Sequence, residues 1–168
     1  MKKLIFLDID GVLNSLEFMY GPNSSWTSDK TTQIDPNGVE LLNQLIDATQ
    51  AEVVLSSTWR ILHYDILKTI LNDMGCKANI IDKTPTTHYK AKKFRHCQRG
   101  CQIQEWLDNH KDIFDIEKGD KFIILDDGND MGHLTNHLVL TFLSVGLTKK
   151  NVEDSIERLN KNNGSEII

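Results

Sequence analysis

The stretch Lys3-Leu4-Ile5-Phe6-Leu7-Asp8-Ile9-Asp10-Gly11-Val12-Leu13-Asn14 decides how the chain is read. Lys3–Leu7 is an apolar run with the Ile, Leu and Phe content of a buried strand, and it ends at Asp8. Asp8 and Asp10 stand two apart in extended chain, so their side chains can point the same way. Lys2 and Lys3 ahead of the run imitate a secretory leader, but the two aspartates cut it short of the ~7–15 apolar residues such a leader needs. A strand that delivers two carboxylates to one place is the better reading.

The rest of the chain repeats the pattern of strand and helix. Asp35-Pro36 sets a capping side chain before a first-turn proline, and Val39, Leu42, Leu45 and Ile46 recur at helical spacing to about Thr49. Glu52-Val53-Val54-Leu55 reads as a second strand. A second helix follows, with Leu62, Ile66, Leu67, Ile70, Leu71 and Met74 as its apolar stripe and Gly75 as its close. Asn79-Ile80-Ile81 is a short third strand, and residues 82–98 form a basic loop with Lys90, Lys92, Lys93 and Arg95. Ile103, Trp106 and Leu107 mark a third helix, Lys121–Leu125 a fourth strand and Leu138–Thr141 a fifth. A last helix after Thr148 carries Val152, Ile156 and Leu159 on one face. Strands alternating with helices at this spacing predict an α/β fold with a Rossmann-like parallel sheet of about five strands, covered on both sides. One domain is expected over residues 1–160, with 161–168 a frayed tail.

Composition agrees with that picture. The 168 residues are 39% apolar and 26% charged, and a chain of this length buries enough surface to need neither disulfide nor structural metal. The formal charge of -5 counts against a general nucleic-acid coat or an anionic-membrane binder, and leaves room for a local basic patch. Cys76, Cys97 and Cys101 cannot pair completely, which suits a reducing compartment. Leu138–Leu147 falls short of the ~20 residues that span a bilayer. A cytoplasmic protein with no membrane role is the expectation.

The polar residues fall where such a sheet puts its ligands. Asp8 and Asp10 follow the first strand, Ser56 and Ser57 the second, Asp126 and Asp127 the fourth, and open parallel sheets bind ligands beyond the carboxyl ends of their strands. Any one of these aspartates reads equally as a helix cap or turn residue. Four carboxylates at two strand ends exceed what turns require, and carboxylates gathered closely repel unless a cation joins them. Mg2+ fits, because it takes hard oxygen ligands from one or two carboxylates, waters and substrate phosphate.

Leu7-Asp8-Ile9-Asp10-Gly11-Val12-Leu13 resembles the first motif of the haloacid dehalogenase (HAD) superfamily of phosphohydrolases. Val53-Val54-Leu55-Ser56 resembles its second motif, and Ile123-Ile124-Leu125-Asp126-Asp127 its fourth. Asp10-Gly11-Val12-Leu13-Asn14, Leu55-Ser56-Ser57-Thr58-Trp59-Arg60, Thr84-Pro85, Arg99-Gly100, Trp106-Leu107 and Gly146-Leu147-Thr148 look like the small HAD domains associated with RNA-repair proteins. The resemblance implies Asp8 as nucleophile, Asp10 as general acid and base, and Ser56 as a donor to a phosphoryl oxygen. Ser57 and the amides around Gly11 would face the same group. Mg2+ would be held by Asp8, the carbonyl of Asp10, and Asp126 or Asp127.

The third motif should contribute a Lys or Arg, and here the pattern is loose. Arg99, just before the third helix, is the first choice, with Lys92 and Lys93 in reserve; a solvated surface arginine is the plain alternative. Asp130 is a third candidate ligand or a turn residue. Arg60, at a helix start, is expected either to meet an anionic substrate or to pair with a nearby acid. Trp59 reads as core packing ahead of base stacking, whereas Trp26 lies in a polar loop where burial is harder to arrange. The Asn14–Gln33 segment is a minimal cap that leaves an open site. His96, Cys97 and Cys101 lack the spacing of a structural zinc site, and no histidine pattern supports a Ser-His-Asp triad.

Together these readings predict an Mg2+-dependent phosphomonoesterase that works through an aspartyl-phosphate, with RNA or DNA end phosphates as the favoured substrate and Lys92 and Lys93 on the nucleic-acid track. A phosphatase of nucleotides or other small esters is the first alternative. A non-catalytic phosphate-binding module is the second. Oligomeric state is not legible.

Overall fold

The computed structural model describes residues 1–22, 24–86 and 98–161. Lys92, Lys93, His96 and Cys97 lie outside the described residues, as do Asn23 and 162–168 of the expected tail. The elements are β1 (Lys3–Leu7), α1 (Leu16–Tyr20), α2 (Pro36–Thr49), β2 (Glu52–Leu55), α3 (Trp59–Leu62), α4 (Tyr64–Asp73), β3 (Ile80–Lys83), α5 (Gln98–Asn109), β4 (Lys121–Asp126), β5 (Leu138–Leu140) and α6 (Lys149–Asn160). Short 3-10 turns occupy Lys30–Thr32, Ile116–Lys118 and Gly132–His137.

The five strands form one sheet in the order β3-β2-β1-β4-β5, with every pairing parallel. Successive side chains of a strand face opposite ways, and β1 shows it plainly. Ile5 and Leu7 enter a core with α2, α4 and α6, whereas Leu4 and Phe6 enter a second core with Ile103 and Trp106 of α5 and Met131 and Leu134 beyond β4. Burial on both faces explains why these strands read as continuous apolar runs. The chain leaves β1 toward β2 on one side and returns to β4 on the other, so the strand order reverses at β1. A crevice therefore opens between the carboxyl ends of β1 and β4.

Local signals set most boundaries. The Asp35 side chain accepts the Asn37 N–H at 2.9 Å, Pro36 opens α2, and Thr148 caps α6 in a reciprocal capping box with Asn151. Two expectations need correction. Leu62 and Ile66 are 80% and 52% exposed, because the chain breaks at His63 into α3 and α4, and α4 buries Leu67, Ile70 and Leu71 in the core. The third strand runs Ile80–Lys83, later than the expected 79–81, and its pairing with β2 carries an irregularity between Val53 and Val54. No helix among the described residues is long and apolar enough to cross a membrane.

Candidate active site

β1 and β4 lie in register with Leu7 beside Leu125, and the Asp8 N–H donates to the Leu125 carbonyl at 2.9 Å. The two acidic strand ends therefore arrive side by side. One carboxylate oxygen from each of Asp8, Asp126 and Asp127 falls within 4.8 Å of the others. Gly11 makes this approach possible: with φ +72° and no side chain, it leaves room for the Asp127 carboxylate, whose Oδ2 would stand 2.4 Å from a Cβ there. The Gly11 N–H is engaged by Asn14 Oδ1 at 3.0 Å, so Gly11 serves the packing of the site and its amide is not turned to a substrate.

Arg99 enters from the first turn of α5. Its Nη2 lies 3.1 Å from Asp8 Oδ2, its Nε 3.1 Å from Asp126 Oδ2, and its Nη1 donates to the Ser56 carbonyl. Gly100 permits the helix to come this close, since a Cβ there would stand 2.0 Å from the Met131 carbonyl oxygen. Asp130 caps the same turn by accepting the Arg99 N–H at 3.1 Å. Burial works against the Arg99 charge, but Asp8, Asp126, Asp130 and Asp127 outweigh it and hold its pKa above the ordinary arginine value. Arg99 thus sets one positive charge among the carboxylates, where the sequence placed its first choice for the third motif; the reserves Lys92 and Lys93 lie outside the described residues.

Burial pushes the Asp126 carboxyl up to about 7; Arg99 opposes the shift and Asp8 adds to it. Asp127 is raised by burial and then by Asp8. Three carboxylates against one guanidinium leave two negative charges uncompensated when all are ionised, and the buried Asp126 Oδ2, ion-paired with Arg99, accepts no hydrogen bond of normal geometry among the described residues. Hard oxygens, a two-charge deficit and a buried carboxylate oxygen without a hydrogen bond fit a divalent cation such as Mg2+. Ser56 adds a second unsatisfied group: its hydroxyl is buried at the end of β2 with no partner among the described residues.

Three residues sit differently from expectation. Arg60 is 1% exposed and faces the protein: it donates to the carbonyls of Thr84 (2.8 Å), Ser56 (2.7 Å), Ser57 (2.7 Å) and Pro85 (3.0 Å) and to Gln102 Oε1 (2.7 Å). It clasps the turn after β2 to the end of β3 and to α5, and is not offered to an anion. The Ser57 hydroxyl accepts the Trp59 N–H at 3.3 Å at the start of α3, so its oxygen takes part in the turn. The Asp10 side chain stands apart from the Asp8, Asp126 and Asp127 group. Its Oδ1 accepts from Asn14 Nδ2 at 2.8 Å and its Oδ2 from Trp59 Nε1 at 3.1 Å. Trp59 is buried as expected, but its contact with Asp10 was invisible in the sequence, because the pair is brought together only by the parallel pairing of β1 with β2. Asn14, four residues after Asp10 in the same tight turn, was the only legible sign that this carboxylate is held.

A doubly covered parallel sheet with carboxylates converging from β1 and β4 is the Rossmann-like α/β fold of the HAD class. The family described as "HAD domain in Swiss Army Knife RNA repair proteins" matches residues 4–152, and the chain belongs to it. No curated protein and no solved structure matches the chain.

Proposed function

We propose that the protein is an Mg2+-dependent phosphomonoesterase that forms an aspartyl-phosphate on Asp8 and acts on the phosphorylated ends of nucleic acid. The observation that carries this reading is the placement of Asp8. Its Oδ1 accepts the Ile9 N–H at 2.7 Å and its Oδ2 pairs with Arg99, beside two further carboxylates and the unpartnered Ser56 hydroxyl. Asp8 attacks phosphorus as the bond to the leaving oxygen breaks, and Asp10 gives its proton to that oxygen. Water then attacks the phosphorus of the aspartyl-phosphate and passes a proton to Asp10, which releases inorganic phosphate and restores the Asp8 carboxylate. Ser56 donates to a phosphoryl oxygen, and Arg99 offsets charge gathering around Asp8. Mg2+, held by Asp8, the Asp10 carbonyl and Asp126 or Asp127, would supply Lewis-acid charge at the phosphoryl group.

The family assignment and the basic stretch Lys90, Lys92, Lys93 and Arg95 support nucleic-acid ends as substrate. The test is phosphate release from end-phosphorylated oligonucleotides, nucleotides and an aryl phosphate, in Mg2+ and in EDTA. The reading predicts Mg2+-dependent release that D8N abolishes, with oligonucleotides preferred. If Lys92 and Lys93 contact phosphates, replacing both with Ala lowers the salt slope of oligonucleotide use by about one to two units and spares the aryl ester. Equal use of nucleotides and oligonucleotides would move the substrate to small esters, and activity surviving D8N or full chelation would overturn the chemistry.

A further inference from the structure

Asp10 is the one carboxylate of the β1 end that the Asp8, Asp126 and Asp127 group leaves out, and it is held by two side chains. Asn14 is itself fixed, because its Oδ1 accepts the Gly11 N–H while its Nδ2 donates to Asp10 Oδ1. Trp59 is the more informative partner. An indole N–H can only donate, on a side chain with two torsions, and when buried it is directed to a partner. Trp59, 5% exposed, directs it to the exposed Asp10, at 3.1 Å from Oδ2. The ring is braced as well as buried. Lys30 Nζ lies 4.1 Å from its centroid and bonds Gln33 Oε1 at 3.0 Å, which ties the 3-10 turn of the cap segment to the same indole.

We propose that Trp59 is a positioning residue for the acid/base carboxyl of Asp10, acting through its indole N–H; this rests on the role given to Asp10 above. With one donor on each oxygen, the carboxyl cannot rotate freely, and the oxygen that carries the proton is presented in a constant direction to the departing group. Both donors bond the carboxylate more strongly than the acid, so both hydrogen bonds strengthen as Asp10 releases its proton to the leaving oxygen. The benefit is therefore largest where that proton matters most, with poor leaving groups.

The test compares wild type, D10N, W59F and the double variant on a series of aryl phosphates of falling leaving-group acidity and an alkyl phosphate. Phenylalanine keeps an aromatic ring at the site but loses the N–H and the outer part of the indole. W59F should lose about tenfold or more in kcat on the alkyl ester, the worth of one hydrogen bond to a charged group, and less than about threefold on nitrophenyl phosphate. The double variant should be no worse than D10N, because the two residues act as one unit. A loss that is uniform across the series in W59F but graded in D10N overturns the proposal and leaves the role of Asp10 standing. A uniform loss in D10N overturns the role of Asp10 and the proposal with it. Independently of whether W59F folds, one of the three tryptophan indole N–H resonances of 15N-labelled protein should shift and exchange faster in D10A; three unmoved resonances would overturn the proposal.

Discussion

Asp127 and Gly11 are in such close approach that a methyl group on Gly11 would stand 2.4 Å from the Asp127 carboxylate. The acidic end of β4 can therefore close on the acidic end of β1 only where the chain between Asp10 and Val12 has no side chain and a left-handed turn.

Gly11→Ala tests this. The left-handed backbone costs an alanine about 1–2 kcal/mol, and the displaced Asp127 adds to it, so Tm should fall by about 3–8 °C. Phosphate release should fall further than stability does, because the carboxylate group is pried open. Calorimetry and turnover on the same preparation check both, and an unchanged Tm would contradict the fit.

Gly100→Ala should act at a distance. A Cβ 2.0 Å from the Met131 carbonyl forces the first turn of α5 away from the 130–131 backbone and carries Arg99 with it. Overpacking of this kind costs about 1–3 kcal/mol. Turnover is expected to drop at least tenfold, and activity equal to wild type would show that this contact does not set the place of Arg99.

Arg60→Lys should destabilise the protein by on the order of 3 kcal/mol, although the charge is kept. Five acceptors are matched by one planar guanidinium, and an ammonium with three protons leaves buried carbonyls unpaired. Urea denaturation measures it. A loss below about 0.5 kcal/mol would mean that the clasp contributes little.

Stability should also depend on pH in a direction set by Asp126. Its carboxyl titrates at about 7 in the folded protein against 3.8 ordinarily, so between these values the folded state keeps a proton that the unfolded state has lost. The stabilisation is complete below about pH 4, declines as pH rises and is gone above about 7. In EDTA, Tm should therefore fall between pH 5 and 7.5. His137, whose pKa burial lowers, acts in the opposite sense below its ordinary 6.5, so Asp126→Asn is the reference that isolates the effect. The variant should show a smaller decline, since Asp127, also raised by burial, still contributes in the same sense. In wild type Mg2+ should reverse it, since a bound cation favours the ionised carboxylate. A Tm that rises with pH in EDTA relative to the variant would contradict the assignment.

The fold was legible because its signals are local. Apolar runs marked β1, β2 and β4, Asp35-Pro36 and Thr148 marked two helix starts, and both kinds of signal are written within a few residues of where they act. The carboxylates at the strand ends were legible for the same reason: once the strands are parallel, the residues just past their carboxyl ends all arrive at the same edge of the sheet. Side-chain direction is a different matter. Arg60 and Arg99 are indistinguishable as letters, each near a helix start, yet one guanidinium is spent on five acceptors of the framework while the other bridges Asp8 and Asp126. The hydroxyls of Ser56 and Ser57 are neighbours, but one is buried without a partner and the other caps a turn. Asp10 and Trp59 meet across 49 residues of sequence. Only tertiary structure decides these, because partners distant in sequence compete for each polar group, and close packing selects one arrangement that satisfies most of the buried ones and leaves the Ser56 hydroxyl unpartnered among the described residues.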